Sequence, residues 1–117
     1  MEAAFWNDKR PPGVPNDIDP AQYSSIIDVF ERSCKQFADR PAFTNMNTTI
    51  TYGDLERLSG NFASYLQTET DLQPGDRIAI QMPNVLQFPV AVFGAIRAGL
   101  IVVNTNPLYT AREMRHQ

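Results

Sequence analysis

Between Arg77 and Val103 a β-branched run, a proline–asparagine stop, a long apolar stretch ending in glycine and a second β-branched run follow one another without a gap. Two strands joined by a helix of that length lie parallel, because an antiparallel pair needs only a tight turn. The crossover is expected to be right-handed and to place both strands in one sheet. In detail, Arg77–Met82 is the first strand and Pro83-Asn84 stops it. Asn84 is expected to cap a helix over Val85–Ala98, and Pro89 falls early enough in it to limit the usual cost of an interior proline, about 3 kcal/mol. Gly99 closes the helix. Leu100–Val103 is wholly apolar, as in a strand buried on both faces of a parallel sheet.

The residues upstream supply smaller elements. Ile26, Phe30, Cys34 and Phe37 recur at helical spacing, which predicts an amphipathic helix over Ser25–Phe37. Asp39-Arg40-Pro41 ends it, and Ala42–Asn45 and Thr48–Thr51 read as a β-hairpin about Met46-Asn47. Thr51 is expected to cap a second amphipathic helix carrying Leu55, Leu58, Phe62, Tyr65 and Leu66, with Asp54 giving a weaker form of the capping box. Gly60, Ala63 and Ser64 are small enough to admit another element closely. Gln73-Pro74-Gly75-Asp76 is a type II turn, with proline and glycine at the positions that need them. Thr110 to Glu113 is a capping box that opens a further helix, cut short at Gln117. The expected fold is therefore α/β: a βαβ unit of a mainly parallel sheet, a small β-hairpin and amphipathic helices.

Residues 1–23 differ from the rest. Pro11, Pro12, Pro15 and Pro20 stand there with no periodic apolar face, so the segment reads as an extended arm. Phe5 and Trp6 on that arm are expected to pin it to its own surface or to a partner. The domain division expected is a proline-rich arm over 1–23 and a truncated amino-terminal α/β segment over 24–117.

Composition removes several function classes. The net charge is −3 and the basic residues never form a run, which gives no footprint for nucleic acid. Val85–Val103 is apolar but contains Gln87, Pro89 and Arg97, and a bilayer span is not expected. The single cysteine, Cys34, reads as an apolar filler suited to a reducing compartment. Catalytic use would need a base, and the one histidine, His116, is next to last in the chain. No phosphate-binding glycine motif, nucleophile elbow, or metal-ligand spacing occurs in the chain. The loop Asn104-Thr105-Asn106 lies where open α/β sheets bind ligands. It reads as a contact to a ligand or as a turn that leads into the next helix.

Three stretches in register resemble the amino-terminal part of the adenylate-forming acyl-CoA synthetases: Ile50–Leu55, Pro74–Asn84, and Gly94–Gly99 followed by Val102-Val103-Asn104. Two more, Val14–Ser25 and Asn106–Glu113, are similar to bacterial long-chain fatty-acid CoA ligases, the second also to aryl-CoA ligases. The resemblance implies a parent enzyme that joins a fatty acid to CoA with Mg-ATP, through an acyl-adenylate and pyrophosphate. It implies no catalytic, cofactor-binding or metal position between Met1 and Gln117, since the family's phosphate loop, acyl tunnel and catalytic lysine match nothing here. ATP, Mg2+ and CoA belong to the parent alone. The implied partners are the remainder of the ligase chain and, in the parent, a long-chain fatty acid. The implied location is cytoplasmic, loosely at the inner membrane face. A non-catalytic interaction module docking through Phe5 and Trp6, or a segment of an aryl or medium-chain ligase, are the alternatives. Because the apolar helix Val85–Ala98 has few elements to cover it, the chain is also expected to self-associate.

Overall fold

The computed structural model describes residues 9–15 and 17–117; Phe5 and Trp6, the aromatics expected to dock the arm, lie outside the described residues. From Lys9 to Ser24 the described residues form turns, without helix or strand. Asp19 organises one of them, its carboxylate accepting from the Ala21 N–H at 2.9 Å.

Helix α1 spans Ile26–Gln36. Ser25 caps it by accepting from the Asp28 N–H at 3.1 Å, while the Asp28 carboxylate accepts from the Ser24 N–H at 3.0 Å and from Arg32 at 2.6 Å. These bonds, the Ser24 N–H foremost, hold the Asp28 carboxyl below its ordinary value. Strands β1 (Pro41–Asn45) and β2 (Thr48–Thr51) form the expected antiparallel hairpin. Met46 and Asn47 both have positive φ, 47° and 60°, as the two-residue type I′ turn requires. The chain enters helix α2 (Tyr52–Thr68) without a linker. Thr51 accepts from the Asp54 N–H at 3.1 Å and the Asp54 carboxylate accepts from the Thr51 N–H at 3.2 Å, so the capping box is complete rather than weakened.

The turn at Gln73–Asp76 forms as expected, with Gly75 at φ 94° and the Asp76 N–H donating to the Gln73 carbonyl at 2.9 Å. Strand β3 covers Arg77–Ile80, helix α3 Gln87–Arg97 and strand β4 Ile101–Asn104. β3 and β4 pair in parallel, with Ile78 opposite Val102 and Ile80 opposite Asn104. This is the βαβ unit read from the sequence. Three details differ from that reading. Asn84 does not cap α3; the helix starts two residues later behind Leu86, which makes no capping bond through its side chain. The later start puts Pro89 third in the helix, among the first amides, which have no helical acceptor, so the proline removes no helical bond. Leu100–Val103 is not buried on both faces: Leu100 is buried, but Ile101 is 46% exposed. The reason is that helices cover only one face of the two-stranded sheet. Finally, α3 does not lack cover. Gln87 is its one exposed residue, because α1, α2 and the sheet enclose it.

Helices α2 and α3 approach each other closely at Gly94. A Cβ on Gly94 would lie 2.8 Å from Phe62 Cδ1 and 2.9 Å from the Ser59 carbonyl oxygen. The small residues that matter are thus Ser59 and Ala63 on α2 and Gly94 and Ala95 on α3, all buried, whereas Ser64 is exposed. Two apolar clusters result: Ala63, Leu66, Ala95, Ala98 and Leu100 under the parallel sheet, and Phe30, Cys34 and Leu55 where α1 meets α2. The short helix α4 (Ala111–His116) carries its own complete capping box from Thr110 and Glu113. It packs on no other helix or strand among the described residues.

Candidate functional site

The sequence points first to the loops that follow the parallel strands. They are held by their own backbone. The Thr105 N–H donates to the Ile80 carbonyl at 3.0 Å, Thr105 is buried, and Asn106 Oδ1 accepts from the Leu108 N–H at 2.9 Å. Gln81 Nε2 donates to the Asn106 carbonyl at 3.3 Å and Gln117 Nε2 to that of Asn104 at 3.1 Å. Of the two readings of Asn104-Thr105-Asn106, this bonding supports the turn: Asn106 shapes the approach to Thr110, and the carbonyls of Asn104 and Asn106 are engaged internally.

A second arrangement was not expected. Arg97, which by its place at the end of α3 reads as a dipole-matched surface cation, reaches inward across the helix interface. Its Nη1 donates to the Glu56 carbonyl at 2.7 Å and to Ser59 Oγ at 3.0 Å, and its guanidinium lies 5.7 Å from the Phe30 ring centroid. Phe30 stacks in turn on Phe93, with centroids 4.2 Å apart. One side chain therefore ties α1, α2 and α3 together. Gly60 lies beneath the guanidinium, where a Cβ would sit 3.4 Å from Arg97 Nη1, at contact distance. The available signal was the pair Ser59-Gly60 opposite a helix with one cation.

Cys34 sits in the cluster of Phe30 and Leu55 and is 1% exposed. Burial, and secondarily the charge of Glu56, push its thiol above the ordinary value, against a smaller opposing effect of Arg97. It is therefore a thiol at neutral pH, packed as the filler the sequence suggested. His116 is exposed on α4 beside Arg112 and Glu113, apart from that cluster. Among the described residues no group of three or more His, Cys, Asp or Glu is placed to hold a metal ion. No helix among them is long and apolar enough to cross a membrane.

An apolar cavity of about 300 Å³ opens between α1, the hairpin and α2, with Ile26, Val29, Phe30, Phe43 and Leu55 in its wall. It offers few polar groups to orient a ligand. Among the described residues the arrangement braces helices on a sheet.

This parallel pair with its crossover helix and hairpin is the start of an adenylation-enzyme fold. A solved amino-terminal subdomain of NpsA from Klebsiella oxytoca in complex with anthranilyl-AMSN superposes with a TM-score of 0.77 at 24% identity, over 81% of this chain and 25% of that one. A benzoate CoA ligase from Burkholderia xenovorans LB400 gives 0.66 at 34% identity, over 70% and 17%. Residues 30–117 match the AMP-binding enzyme family, and the chain belongs to it. It is 54% identical over 112 residues to a long-chain-fatty-acid–CoA ligase of Yersinia pestis and 49% identical over 113 to one of Haemophilus influenzae, covering 96% and 97% of this chain. It spans about a fifth of the length of these relatives, their amino-terminal part.

Proposed function

We propose that this chain is the amino-terminal segment of a long-chain fatty-acid CoA ligase, an enzyme that converts ATP, fatty acid and CoA to acyl-CoA, AMP and pyrophosphate through an acyl-adenylate. The observation that carries it is the 54% identity to a ligase of that name across 96% of the chain. The aryl alternative is supported less, by 34% identity over 70% of the chain. Within such an enzyme the segment is scaffold: residues 24–117 brace the body, residues 1–23 form an arm, and no catalytic, cofactor-binding or metal position lies between Met1 and Gln117. ATP, Mg2+, CoA and the fatty acid are held by the rest of the enzyme. Phosphoryl chemistry needs a cation and donors converging on the phosphates, and the carbonyls of Asn104 and Asn106 are engaged by Gln117 and Gln81. The reading places the enzyme in the cytoplasm, loosely at the inner membrane face. It also has the isolated chain self-associate, by exchange of its amino-terminal arm between copies rather than through α3 or the sheet face.

The test is a graft in which residues 1–117 replace the matching fifth of the Yersinia pestis ligase. The expected result is palmitate-dependent ATP–pyrophosphate exchange within about tenfold of the parent, a loss of no more than about 1.4 kcal/mol in transition-state stabilisation. Palmitate is expected to remain preferred to benzoate, since the recipient body supplies the acyl site. A folded graft without exchange, or one that has switched to benzoate, would refute the reading.

A further inference from the structure

The β3–β4 sheet has one face packed on α2 and α3 and one face open. Ile78, Ile80 and Val102 lie toward the helices; Arg77, Ala79, Ile101 and Val103, the alternate residues, lie on the other side. Of these Arg77, Ala79 and Ile101 are exposed and Val103 is half-buried. Parallel sheets are covered on both faces, and two-stranded sheets are marginal alone. The open face is therefore unfinished in a way that the polar outer face of an antiparallel hairpin is not. Helix α4 follows β4 directly and packs on no other element among the described residues. The relatives' chains continue for roughly four times the length matched here.

From these observations we infer that the face formed by Ala79, Ile101 and Val103 is the seat of the remaining four-fifths of a ligase chain, which lays an apolar layer on it. The inference rests on the ligase reading for the identity of the partner. The apolar groove beside α1 is a weaker candidate, because Phe30 and Leu55 are already buried in its floor. On the sheet face Ala79 and Ile101 are exposed and Val103 is only half-buried among the described residues.

Accessibility of single thiols tests this without using activity. Ala79→Cys and Ile101→Cys probe the face, Thr68→Cys on the exposed side of α2 is the control, and the native thiol, Cys34, is buried. Each is placed in the 117-residue chain and in the graft, and maleimide labelling rates are compared. Expected is fast labelling of all three in the chain, then at least about tenfold slower labelling of Ala79→Cys and Ile101→Cys in the graft, with Thr68→Cys unchanged. Two positions are used so that one poorly folding variant does not decide the matter. Equal rates in chain and graft would overturn the inference. So would equal protection of Thr68→Cys, or protection in the isolated chain matching that in the graft, the result a second copy seated on the face would give. A protected face in a graft without exchange leaves the docking surface standing and removes the ligase reading; an active graft with an open face does the reverse.

Discussion

Gly94→Val is expected to leave the chain unfolded, and Gly94→Ala to lower its stability by about 1–2 kcal/mol, read from urea unfolding followed by circular dichroism. In the alanine variant the new Cβ meets a ring carbon at 2.8 Å and a backbone oxygen at 2.9 Å. The ring can turn, but the Ser59 carbonyl belongs to the middle of α2 and moves only with the whole helix. Overpacking of this kind costs about 1–3 kcal/mol, from which the better helix propensity of alanine returns up to about 1. Valine adds two methyl groups in the same space and has no such compensation. Gly60→Ala is the contrasting control. Its Cβ would approach only the end of the Arg97 side chain, at 3.4 Å, which can shift. That variant is expected to be neutral or up to about 0.5 kcal/mol more stable, because alanine is the better helix former. Equal losses at the two glycines would mean that helix crossing at Gly94 is not what limits their replacement.

The second large effect is at Phe30. Phe30→Ala is expected to cost about 3–5 kcal/mol, measured as a fall in the urea midpoint at constant slope. The ring is 5% exposed, stacks on Phe93 and lies under the Arg97 guanidinium, so its loss removes contacts from α1, α2 and α3 together. Domains of this size have about 5–15 kcal/mol in total, so the variant approaches the limit of folding. Ile26→Ala, one turn earlier on the same helix but 65% exposed, is expected to change stability by less than about 0.5 kcal/mol. Comparable losses at both positions would show that α1 is held by general burial along its length, not by the Phe30 stack.

These packing features were only partly legible in the sequence. Local signals worked where the physics is local. The type II turn at Gly75, the hairpin about Met46-Asn47 and the caps at Thr51 and Thr110 each depend on four or five consecutive residues, and each forms as read. The parallel βαβ unit was legible because its apolar runs and glycine stop are contiguous. The start of α3 was not, because asparagine at position 84 is a good cap in isolation, whereas Pro89 sits most favourably when the helix begins at Gln87. Burial of Leu100–Val103 on both faces was expected for a parallel sheet, but here helices cover only one face of two strands and Ile101 stays exposed. The inward turn of Arg97 depends on Ser59 and Gly60, about forty positions away in the chain, and on a helix crossing angle that no local pattern encodes. The loop Asn104-Thr105-Asn106 follows the last strand as expected, but the engagement of its carbonyls depends on Gln81 and Gln117, which no local pattern links to it.

In the proposed reading the chain supplies shape to an ATP-using ligase and grips none of its reagents. Isothermal titration of Mg-ATP into the 117-residue chain tests this most directly. Dilution heats alone are expected, with no rise in melting temperature up to millimolar nucleotide, since a ligand at 100 times its dissociation constant would stabilise the fold by about 2.7 kcal/mol. Saturable one-to-one binding, with a matching thermal shift, would contradict it.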